Sequence, residues 1–316
     1  MTDRIRIGVS ACLLGQLVRY DGGHRLERFI TDTLGQYVEF VPVCPEAEAG
    51  LGIPREAMRL EGDPWRPRLV TIRTQMDHTE RMLAWAKQRV RELEDEDLCG
   101  LIVKSNSPSC GKEWVKVYKE KGMPEKKGVG LFARVFMKHF PLIPAEDEGR
   151  LYDPGLREHF IESIFTLKRW RELLKGRPGL GVLADFHTRH ELLLLSHSEK
   201  HYRAMGKLVA AGKTMSARTL YERYEAMLLE SLRLRTTVKK NANVLYRLMG
   251  YFKKNLSEDE KQELLEIIGR YRAGNIPLVV PVTLSHHYVR KYKQPCLAEQ
   301  TYLNRHPVEL QLRNHV

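Results

Sequence analysis

The sequence has few cysteines, no long apolar run and no hydrophobic leader, and each of these absences excludes a class of protein. Its five cysteines in 316 residues, an odd number, do not suit the disulfide framework of a small secreted scaffold. No stretch approaches the roughly 18 apolar residues that cross a bilayer. No apolar core of signal-peptide length follows residues 1–6. We therefore expect a cytoplasmic protein without membrane contact, long enough for two domains.

The net charge of +12 is confined to the second half of the chain. Residues 1–149 carry 23 basic and 23 acidic residues, whereas residues 150–316 carry 29 basic and 17 acidic residues. Such an asymmetry is typical of a domain that binds a polyanion such as nucleic acid. The alternative is a basic domain whose charges are simply solvated.

The first half of the chain alternates strand-like and helix-like segments, a pattern typical of a parallel α/β sheet of Rossmann-like type. The sequence predicts strands at 4–10, 38–43, 69–73, 98–104 and 142–144, and helices at 26–34, 77–93 and 128–139. This predicted domain covers residues 1–147. The acidic, turn-rich run Glu146–Gly149 is interpreted as a linker.

The second half, residues 150–316, has strong helical periodicity and almost no strand signal, which predicts an all-α domain. Ser257, followed by acidic residues, is typical of a helix N-cap. The predicted helices span 158–174, 182–196, 200–211, 217–233, 238–254 and 258–272.

Three of the five cysteines each follow a predicted strand: Cys12, Cys44 and Cys110. Because the carboxyl ends of parallel strands share one edge of a sheet, these three side chains can converge. The chain has no CxxC spacing, so two interpretations stay open: a shared metal or cluster site, or buried cysteines with no joint role. Cys99 lies inside an apolar strand and is interpreted as a core thiol. Cys296 lies in the other domain and is not counted as a ligand.

Several short blocks, taken together and in order, resemble known families. The first half resembles the 2-thiouracil desulfidase family over roughly residues 4–145, in the blocks Val9–Gly15, Arg19–Gly22, Cys44–Glu46, Gly50–Leu51 with Pro54–Arg55, and Ser107–Gly111. The second half resembles the YbgA-type helical domain, in the blocks Asp185–Glu191, Ser196–His197, and Asn243–Leu245 with Gly250–Phe252. The fused arrangement resembles the RNA thiouridine desulfidases, which convert 4-thiouridine in transfer RNA to uridine.

The resemblance implies an iron–sulfur enzyme. In such families three motif cysteines hold a [4Fe-4S] cluster, and the matching positions here are Cys12, Cys44 and Cys110. Three thiolates leave one iron without a protein ligand, and thiophilic iron can accept a thiocarbonyl sulfur there. The implied reaction is a non-redox, hydrolytic desulfuration with release of sulfide. Its implied substrates are 4-thiouridine in transfer RNA and free thiouracils. No GxGxxG follows a strand, in keeping with a reaction that needs no nicotinamide.

The side chains near these cysteines suggest how water would be activated. Glu46, two residues after a proposed ligand, is the candidate general base, with Glu48 as the alternative. Ser105 is the second candidate catalytic residue, expected to orient the base or to shuttle a proton to it. Ser109 is expected to donate to a ligand sulfur, and RYDG also suits a simple turn. Candidate substrate-binding residues are Ser109, Asp21 and Arg19.

Basic side chains interleaved with tyrosines make the second half a candidate RNA-binding domain, since lysine and arginine take phosphates and aromatic rings stack on bases. Four histidines between residues 187 and 201 are interpreted as RNA contacts or helix-packing groups rather than as a metal site. Three rival functions stay open: an enzyme for the free base only, a non-catalytic RNA-binding protein with a structural metal, and a three-thiolate zinc protein. The candidate RNA-binding residues are Arg189, Lys200, Arg203, Lys239, Lys240, Lys253 and Lys254.

Overall fold

A computed structural model describes residues 4–119, 122–176 and 179–304 of the chain. The chain divides into two units, residues 1–160 and residues 161–316, and the division falls inside a long helix. The first unit is α/β, and the described part of the second is all helical, which confirms the predicted fold class. The first three and the last twelve residues of the two predicted domains lie outside the described residues.

The described part of the first unit forms two four-stranded sheets. The strands are β1 (Ile5–Ser10), β2 (Val38–Val43), β3 (Met58–Asp63), β4 (Arg66–Thr71), β5 (Gly100–Val103), β6 (Val115–Tyr118), β7 (Glu125–Gly128) and β8 (Ala145–Asp147). The helices are α1 (Pro45–Glu48), α2 (Thr79–Glu92) and α3 (Leu131–His139).

The central sheet has the order β2-β1-β5-β8, and all its neighbouring strands are parallel. Apolar side chains of β2 and β5, such as Val43 and Leu101, are buried because they pack against α2 and α3, whose inward faces carry residues at helical spacing. These helix residues include Ala86, Val90, Phe132 and Phe136. The carboxyl ends of the strands therefore open at one shared edge.

A second, mixed sheet with the order β4-β3-β6-β7 is absent from the sequence prediction, apart from a strand near β4. Its short strands carry many charged residues, and in β7 only Gly128 is buried. Such segments lack the continuous apolar pattern of a central strand, so periodicity does not reveal them. The last predicted strand, at 142–144, lies at 145–147 instead.

The helix predicted at 26–34 is not formed as such. The amides of Arg25 and Glu27 donate to the carbonyls of Cys12 and Leu13, which holds the start of this segment against the turn after β1. Only a short π-helical turn at Phe29–Thr33 and a 3-10 turn after it follow. Tertiary hydrogen bonds thus replace the local helix that the apolar spacing suggests.

The linker prediction for Glu146–Gly149 is wrong. The acidic run belongs to the first unit, where β8 pairs with β5 and brings Glu146 and Asp147 into the sheet. Glu146, Asp147 and Glu148 are all buried. Glu148 forms an ion pair with Lys104, and Glu146 forms ion pairs with Lys112 and Arg150. A composition typical of an exposed linker is here part of the folded first unit.

The described part of the second unit is built from helices, and a hydrophobic cluster joins side chains from residues 192 to 303. Ser257 caps its helix as predicted, since its hydroxyl accepts from the Glu260 N–H (3.2 Å) and the Glu260 carboxylate accepts from its own N–H (2.8 Å). The helix at 279–291 escapes the sequence pattern because it starts with two valines and Pro281, yet proline in a first turn breaks no helical hydrogen bond. The helices are α4 (Pro154–Lys175), α5 (Leu180–His197), α6 (Glu199–Ala210), α7 (Ala217–Leu232), α8 (Val238–Tyr251), α9 (Glu258–Arg272), α10 (Val279–Lys291) and α11 (Pro295–Ala298).

Among the described residues, no helix has both the length and the apolar character that a membrane crossing needs.

Candidate functional site

Three cysteines meet in one pocket of the first unit. Since β2, β1 and β5 are parallel neighbours, Cys12, Cys44 and Cys110 all leave the sheet at its carboxyl edge. All three line a pocket of about 440 Å³. The structure therefore brings together the cysteines that the strand pattern places at one edge, while their role as metal ligands stays a prediction.

Tight turns fix the first two cysteines. Cys12 lies in the 3-10 turn Ala11–Leu14, which ends at Gly15 in a left-handed conformation (φ 87°) that favours glycine. Cys44 precedes α1, and its N–H donates to the Glu48 carboxylate (2.6 Å). Each turn follows its strand directly, so the position of each thiol depends on the sheet.

The loop that carries Cys110 is held by its own serines and by α3. The N–H of Cys110 donates to the Ser107 hydroxyl (3.1 Å). Gly130, at the start of α3, lies against this loop so closely that a Cβ there would stand 2.6 Å from the Ser109 carbonyl carbon. Only glycine allows this approach of helix and loop.

Burial keeps all three thiols protonated in the absence of a cation. It raises the pKa of the Cys12 thiol to about 11, with a further contribution from the neighbouring Cys44. Burial also raises the pKa of Cys44, and it raises that of Cys110 most, where the charge of Glu46 adds to the effect. Thiolates in such a place need a positive partner, and metal ions displace the thiol protons.

The spacing of the sulfur atoms bears on the size of that partner. Among the described residues, the three ligand atoms that lie within 4.8 Å of one another belong to acidic side chains. The sulfur atoms of the three cysteines do not all lie within this distance of one another. Two thiolates on one zinc, at about 2.3 Å each, stand no more than about 4.6 Å apart. The trio is therefore spread wider than a single zinc ion requires.

Glu46, the candidate base, lines the pocket and is held by two neighbours. Its Oε1 accepts a hydrogen bond from the Ser109 hydroxyl (2.6 Å), and its Oε2 accepts from Arg55 Nε (2.9 Å). The Arg55 side chain is only 6% exposed and also donates to the carbonyls of Gly52 and Val18. These contacts fix the carboxylate in one orientation at the pocket wall.

Glu48, the alternative base, has other contacts. It accepts from the Cys44 N–H and forms an ion pair with Arg89 (3.3 Å). Burial raises its pKa. Glu48 is absent from the residues that line the pocket, so the geometry favours Glu46 for activating a molecule inside it.

Only one of the two candidate serines donates a hydrogen bond to Glu46. Ser105 lines the pocket, but its hydroxyl donates to Glu148 (2.9 Å) instead of orienting Glu46. Ser109 is the serine that donates to Glu46, and its oxygen lies 3.8 Å from the Cys110 sulfur. The expectation that Ser105 orients the base is therefore corrected: Ser109 does so.

Arg19 and Asp21 differ in their relation to the pocket. Arg19 lines it, whereas Asp21 does not. The Asp21 carboxylate accepts from the Gly23 N–H (3.1 Å) and lies 3.4 Å from Arg19. Asp21 therefore holds the turn, which is the simpler of the two interpretations of RYDG.

Sequence reasoning gave no role to three basic residues that line the pocket, Arg25, Arg55 and Lys104, or to Glu148, which pairs with Lys104. Arg55 enters the sequence analysis only as part of a family block, with no role attached to it. Lys104 directly precedes Ser105 and forms an ion pair with Glu148, which lies in the segment interpreted as a linker. An isolated charge near a strand end was the only signal, and its partner becomes visible only in the fold.

The four histidines between residues 187 and 201 are packing groups. The helix breaks at Ser198, which caps α6, so they do not share one continuous helix face. Burial lowers the pKa of His190 to about 3, which keeps its ring neutral. Their Nδ1 atoms each have a different partner: Tyr224 Oη (3.2 Å) for His187, the Phe186 carbonyl (2.7 Å) for His190, the Leu234 carbonyl (2.7 Å) for His197 and Ser198 Oγ (2.9 Å) for His201.

The candidate RNA-binding residues are not equivalent. Lys240 is half-buried, and its ammonium donates to the carbonyls of His197 (2.6 Å) and Arg235 (2.7 Å), so it holds helix ends. Arg203 forms an ion pair with Glu199. The exposed members of the set are Arg189, Lys200, Arg203, Lys239, Lys253 and Lys254.

Three acidic side chains of the first unit form a cluster, and basic neighbours pair with it. Glu113, Glu146 and Asp147 place three carboxylate oxygens within 4.8 Å of one another. Arg150 and Lys112 form ion pairs with Glu146, and the Lys112 N–H donates to Asp147 (2.9 Å). Burial raises the pKa of the Asp147 carboxyl to about 6 against the lowering effect of that hydrogen bond.

Comparison with known proteins finds two family models that match separate parts of the chain. Residues 7–148 match the family model described as 2-thiouracil desulfurase, and residues 191–307 match that of a protein of unknown function, DUF1722. The chain is 30% identical over 152 residues to the uncharacterized protein YbgA of Escherichia coli, covering 48% of this chain and 90% of that protein. It is 29% identical over 112 residues to the uncharacterized protein YbbK of Bacillus subtilis, covering 34% of this chain and 74% of that protein.

The solved structure of a [4Fe-4S]-dependent thiouracil desulfidase, TudS, is similar to 48% of this chain and 95% of its own, with 29% identity and a TM-score of 0.40. The resemblance to the thiouracil desulfidases and to the YbgA-type domain, expected from the sequence blocks, is confirmed.

Replacing Asp147 with asparagine is expected to stabilise the first unit at pH 8. The folded pKa is about 6 and the ordinary value is 3.8, so ionised Asp147 opposes folding above pH 6, and this penalty vanishes below pH 4. Asparagine keeps the acceptor for Lys112 without the charge. Urea unfolding should show a gain of about 1–3 kcal/mol at pH 8 that shrinks towards pH 4. A gain that is independent of pH would contradict this assignment.

Proposed function

We propose that this chain, which belongs to the family of the YbgA protein and carries a 2-thiouracil desulfurase domain at residues 7–148, is an iron–sulfur desulfidase that converts thiolated uracil to uracil. One observation carries the proposal: three thiols from three strand ends, two of them buried and one half-buried, share a pocket with a fixed carboxylate, Glu46. A thiouracil-processing site needs these two elements, soft ligands for a thiophilic metal and a group that accepts a proton from water.

The donor set fits a [4Fe-4S] cluster. Cys12, Cys44 and Cys110 are free thiols whose burial disfavours unpaired thiolates. Soft thiolate ligands of this kind are the ones that hold iron–sulfur clusters in proteins. The resemblance of the cysteine blocks to the desulfidase family implies the same cofactor.

When bound by three cysteines, such a cluster supplies an iron position that is open to sulfur and acts as a Lewis acid on a thiocarbonyl group. The overall reaction replaces sulfur with oxygen: the thiocarbonyl compound and water give the carbonyl compound and hydrogen sulfide. Atoms and electrons balance without an external oxidant or reductant. The protein therefore has to bind the ring, place a water molecule and move protons.

Glu46 is the group that takes the proton from the attacking water. Ser109 and Arg55 hold its two oxygens, so the carboxylate does not have to be ordered during the reaction. Oε1 accepts one hydrogen bond from Ser109, and a carboxylate oxygen has room for a second. Glu46 is thus fixed and still able to accept from a molecule in the pocket.

The basic second half supports thiolated transfer RNA as the macromolecular substrate. The first 149 residues are electrically balanced, and the entire excess of +12 lies beyond them. A free base offers no phosphate to neutralise, whereas RNA offers one at each nucleotide. A base inside RNA must also leave its stack before its sulfur can enter a pocket, and contacts to phosphates can offset that cost.

Replacing Cys12, Cys44 or Cys110 with serine is expected to remove both the cluster and the activity, because hydroxyl is a harder and weaker ligand for iron than thiolate. The measurement is iron and acid-labile sulfide per chain after anaerobic purification, together with conversion of 2-thiouracil to uracil. Cys99, also buried but at the start of a strand, is the matched control. Cys99→Ser should keep iron and activity and lose about 1–3 kcal/mol of stability. Full iron and activity in Cys110→Ser would refute the ligand set.

Glu46→Gln is expected to keep the iron content while turnover falls by about 10²–10⁴-fold, the usual loss for a positioned general base. Glutamine has the same size, but its amide cannot take the proton. Because Arg55 also loses its counterion, an unfolding measurement should accompany the kinetics. Glu48→Gln, outside the pocket, should retain turnover if Glu46 is the base. The reverse result would move the role to Glu48.

Exchanging Lys253 and Lys254 for glutamine is expected to weaken action on thiolated transfer RNA only. Both lysines are exposed, and each phosphate contact that is lost should reduce the dependence of log K on log salt by about 0.7–0.9. The matched control is the exposed pair Lys126 and Lys127 of the first unit. The measurement is kcat/KM on thiolated transfer RNA and on free thiouracil at two salt concentrations. Equal losses on both substrates, or no salt dependence in the unmodified chain, would favour an enzyme for the free base only.

A further inference from the structure

Glu148 forms a clamp on Lys104 and Ser105, the two residues that directly follow β5. Its Oε2 accepts from the Ser105 N–H (2.5 Å), and its Oε1 accepts from the Ser105 hydroxyl (2.9 Å). The Lys104 ammonium forms an ion pair with the same carboxylate. The Glu148 side chain is 9% exposed and does not line the pocket, whereas Lys104 and Ser105 do.

This clamp decides which way the Ser105 hydroxyl faces. Its proton is committed to Glu148, and one of its two lone pairs accepts from Lys104 (3.1 Å). One lone pair remains. Lys104 in turn uses its three N–H groups on the Ser105 carbonyl (3.2 Å), the Ser105 hydroxyl and Glu148. The Ser105 hydroxyl can therefore accept a further hydrogen bond, but it has no proton left to donate to a molecule in the pocket.

A thiouracil ring carries the complementary group. Its N3–H lies beside the thiocarbonyl in both 2-thiouracil and 4-thiouracil. It is also free in a nucleoside, where N1 is bonded to the ribose. The Glu46 carboxylate, which also lines the pocket, is tied to Ser109 and Arg55 and is assigned to water.

We propose that Glu148 is a positioning residue for substrate recognition: by fixing the Ser105 hydroxyl as an acceptor, it makes the site select rings that carry an N3–H. The inference rests on the proposed desulfurisation and adds to it the feature of the base that is recognised. A site built around a buried hydrogen bond rejects the analogue that cannot form it.

Glu148→Gln replaces a hydrogen-bond acceptor with a donor next to the Ser105 hydroxyl. The amide oxygen can still accept from the Ser105 N–H, but the NH2 group then points at the Ser105 oxygen and donates to it. The hydroxyl proton turns towards the pocket and meets the ring N–H, donor against donor. Ser105→Ala removes the acceptor altogether. Both variants should therefore lose the preference for N3–H by different means.

The experiment compares 2-thiouracil with its 1-methyl and 3-methyl derivatives on the full, cluster-loaded chain. The unmodified protein should have a kcat/KM about tenfold to a hundredfold lower for the 3-methyl compound and nearly unchanged for the 1-methyl compound, the loss expected for one buried hydrogen bond. In Glu148→Gln and in Ser105→Ala, kcat/KM for 2-thiouracil should fall by a similar factor, and the discrimination against 3-methyl should disappear. The double variant should be no worse than Ser105→Ala, because the two residues act as one unit.

Glu146→Gln is the matched control. It changes a neighbouring buried carboxylate, also paired with two cations, that does not touch Ser105. It should keep the discrimination whatever its effect on stability. A second readout needs no turnover: calorimetric binding of uracil should be weaker in both variants at unchanged iron content, and binding of 3-methyluracil should be equal in all forms.

The possible failures are distinct. No action of the unmodified protein on any thiouracil would overturn the proposed function and this inference together. Activity in the unmodified protein with equal rates for 2-thiouracil and its 3-methyl derivative would overturn the inference alone. So would discrimination that survives in Glu148→Gln, or discrimination lost equally in Glu146→Gln.

Discussion

The parallel pairing of β2, β1 and β5 is the constraint on which the site depends. The register sets Ser10 beside Val43 and Val9 beside Ile102, so the three strands end near one level of the sheet. Cysteines that are far apart in sequence leave the sheet there together. A shift of the register by one residue would turn each side chain of a strand to the other face of the sheet. It would also displace the cysteine that follows the strand. The hydrogen bonds that form the core therefore also form the pocket.

Placing polar groups at this edge is costly, and the structure offsets the cost by pairing. Glu46 lies with Arg55, Glu148 with Lys104, and Glu146 with Lys112 and Arg150. Removing one member of such a pair usually destabilises more than the pair itself stabilises, because a buried charge is left alone. The three thiols take no part in these ion pairs, and under the proposed function a bound cluster would be their charge partner.

The sequence is informative where local pattern decides the outcome. Apolar runs predict the central strands, and the rule for parallel strand ends predicts that Cys12, Cys44 and Cys110 converge. The hydrogen-bond partners of the two serines do not follow from local pattern, because nothing in the neighbouring sequence tells whether Ser105 or Ser109 contacts Glu46. One donates to Glu148 and the other to Glu46 because α1 and the segment after β8 place these two carboxylates next to different serines. The interpretation of Glu146–Gly149 as a linker fails for the same reason, since two of the three cations that pair with its carboxylates, Lys104 and Lys112, come from another part of the chain.

Two of the pocket cations are committed to these pairs, which has a consequence for the proposed substrate recognition. Arg55 and Lys104 use their N–H groups on carboxylates, on a serine hydroxyl and on carbonyls, so they set the orientation of acceptors. Arg19 and Arg25 also line the pocket and do not belong to these pairs. Under the proposed function, the ring would be recognised by its hydrogen-bonding edge, and most of the attraction for a phosphate backbone would come from the excess positive charge, which lies outside the first 149 residues. Keeping the two tasks largely on different residues would let the pocket accept a neutral base without competing for its own ion pairs.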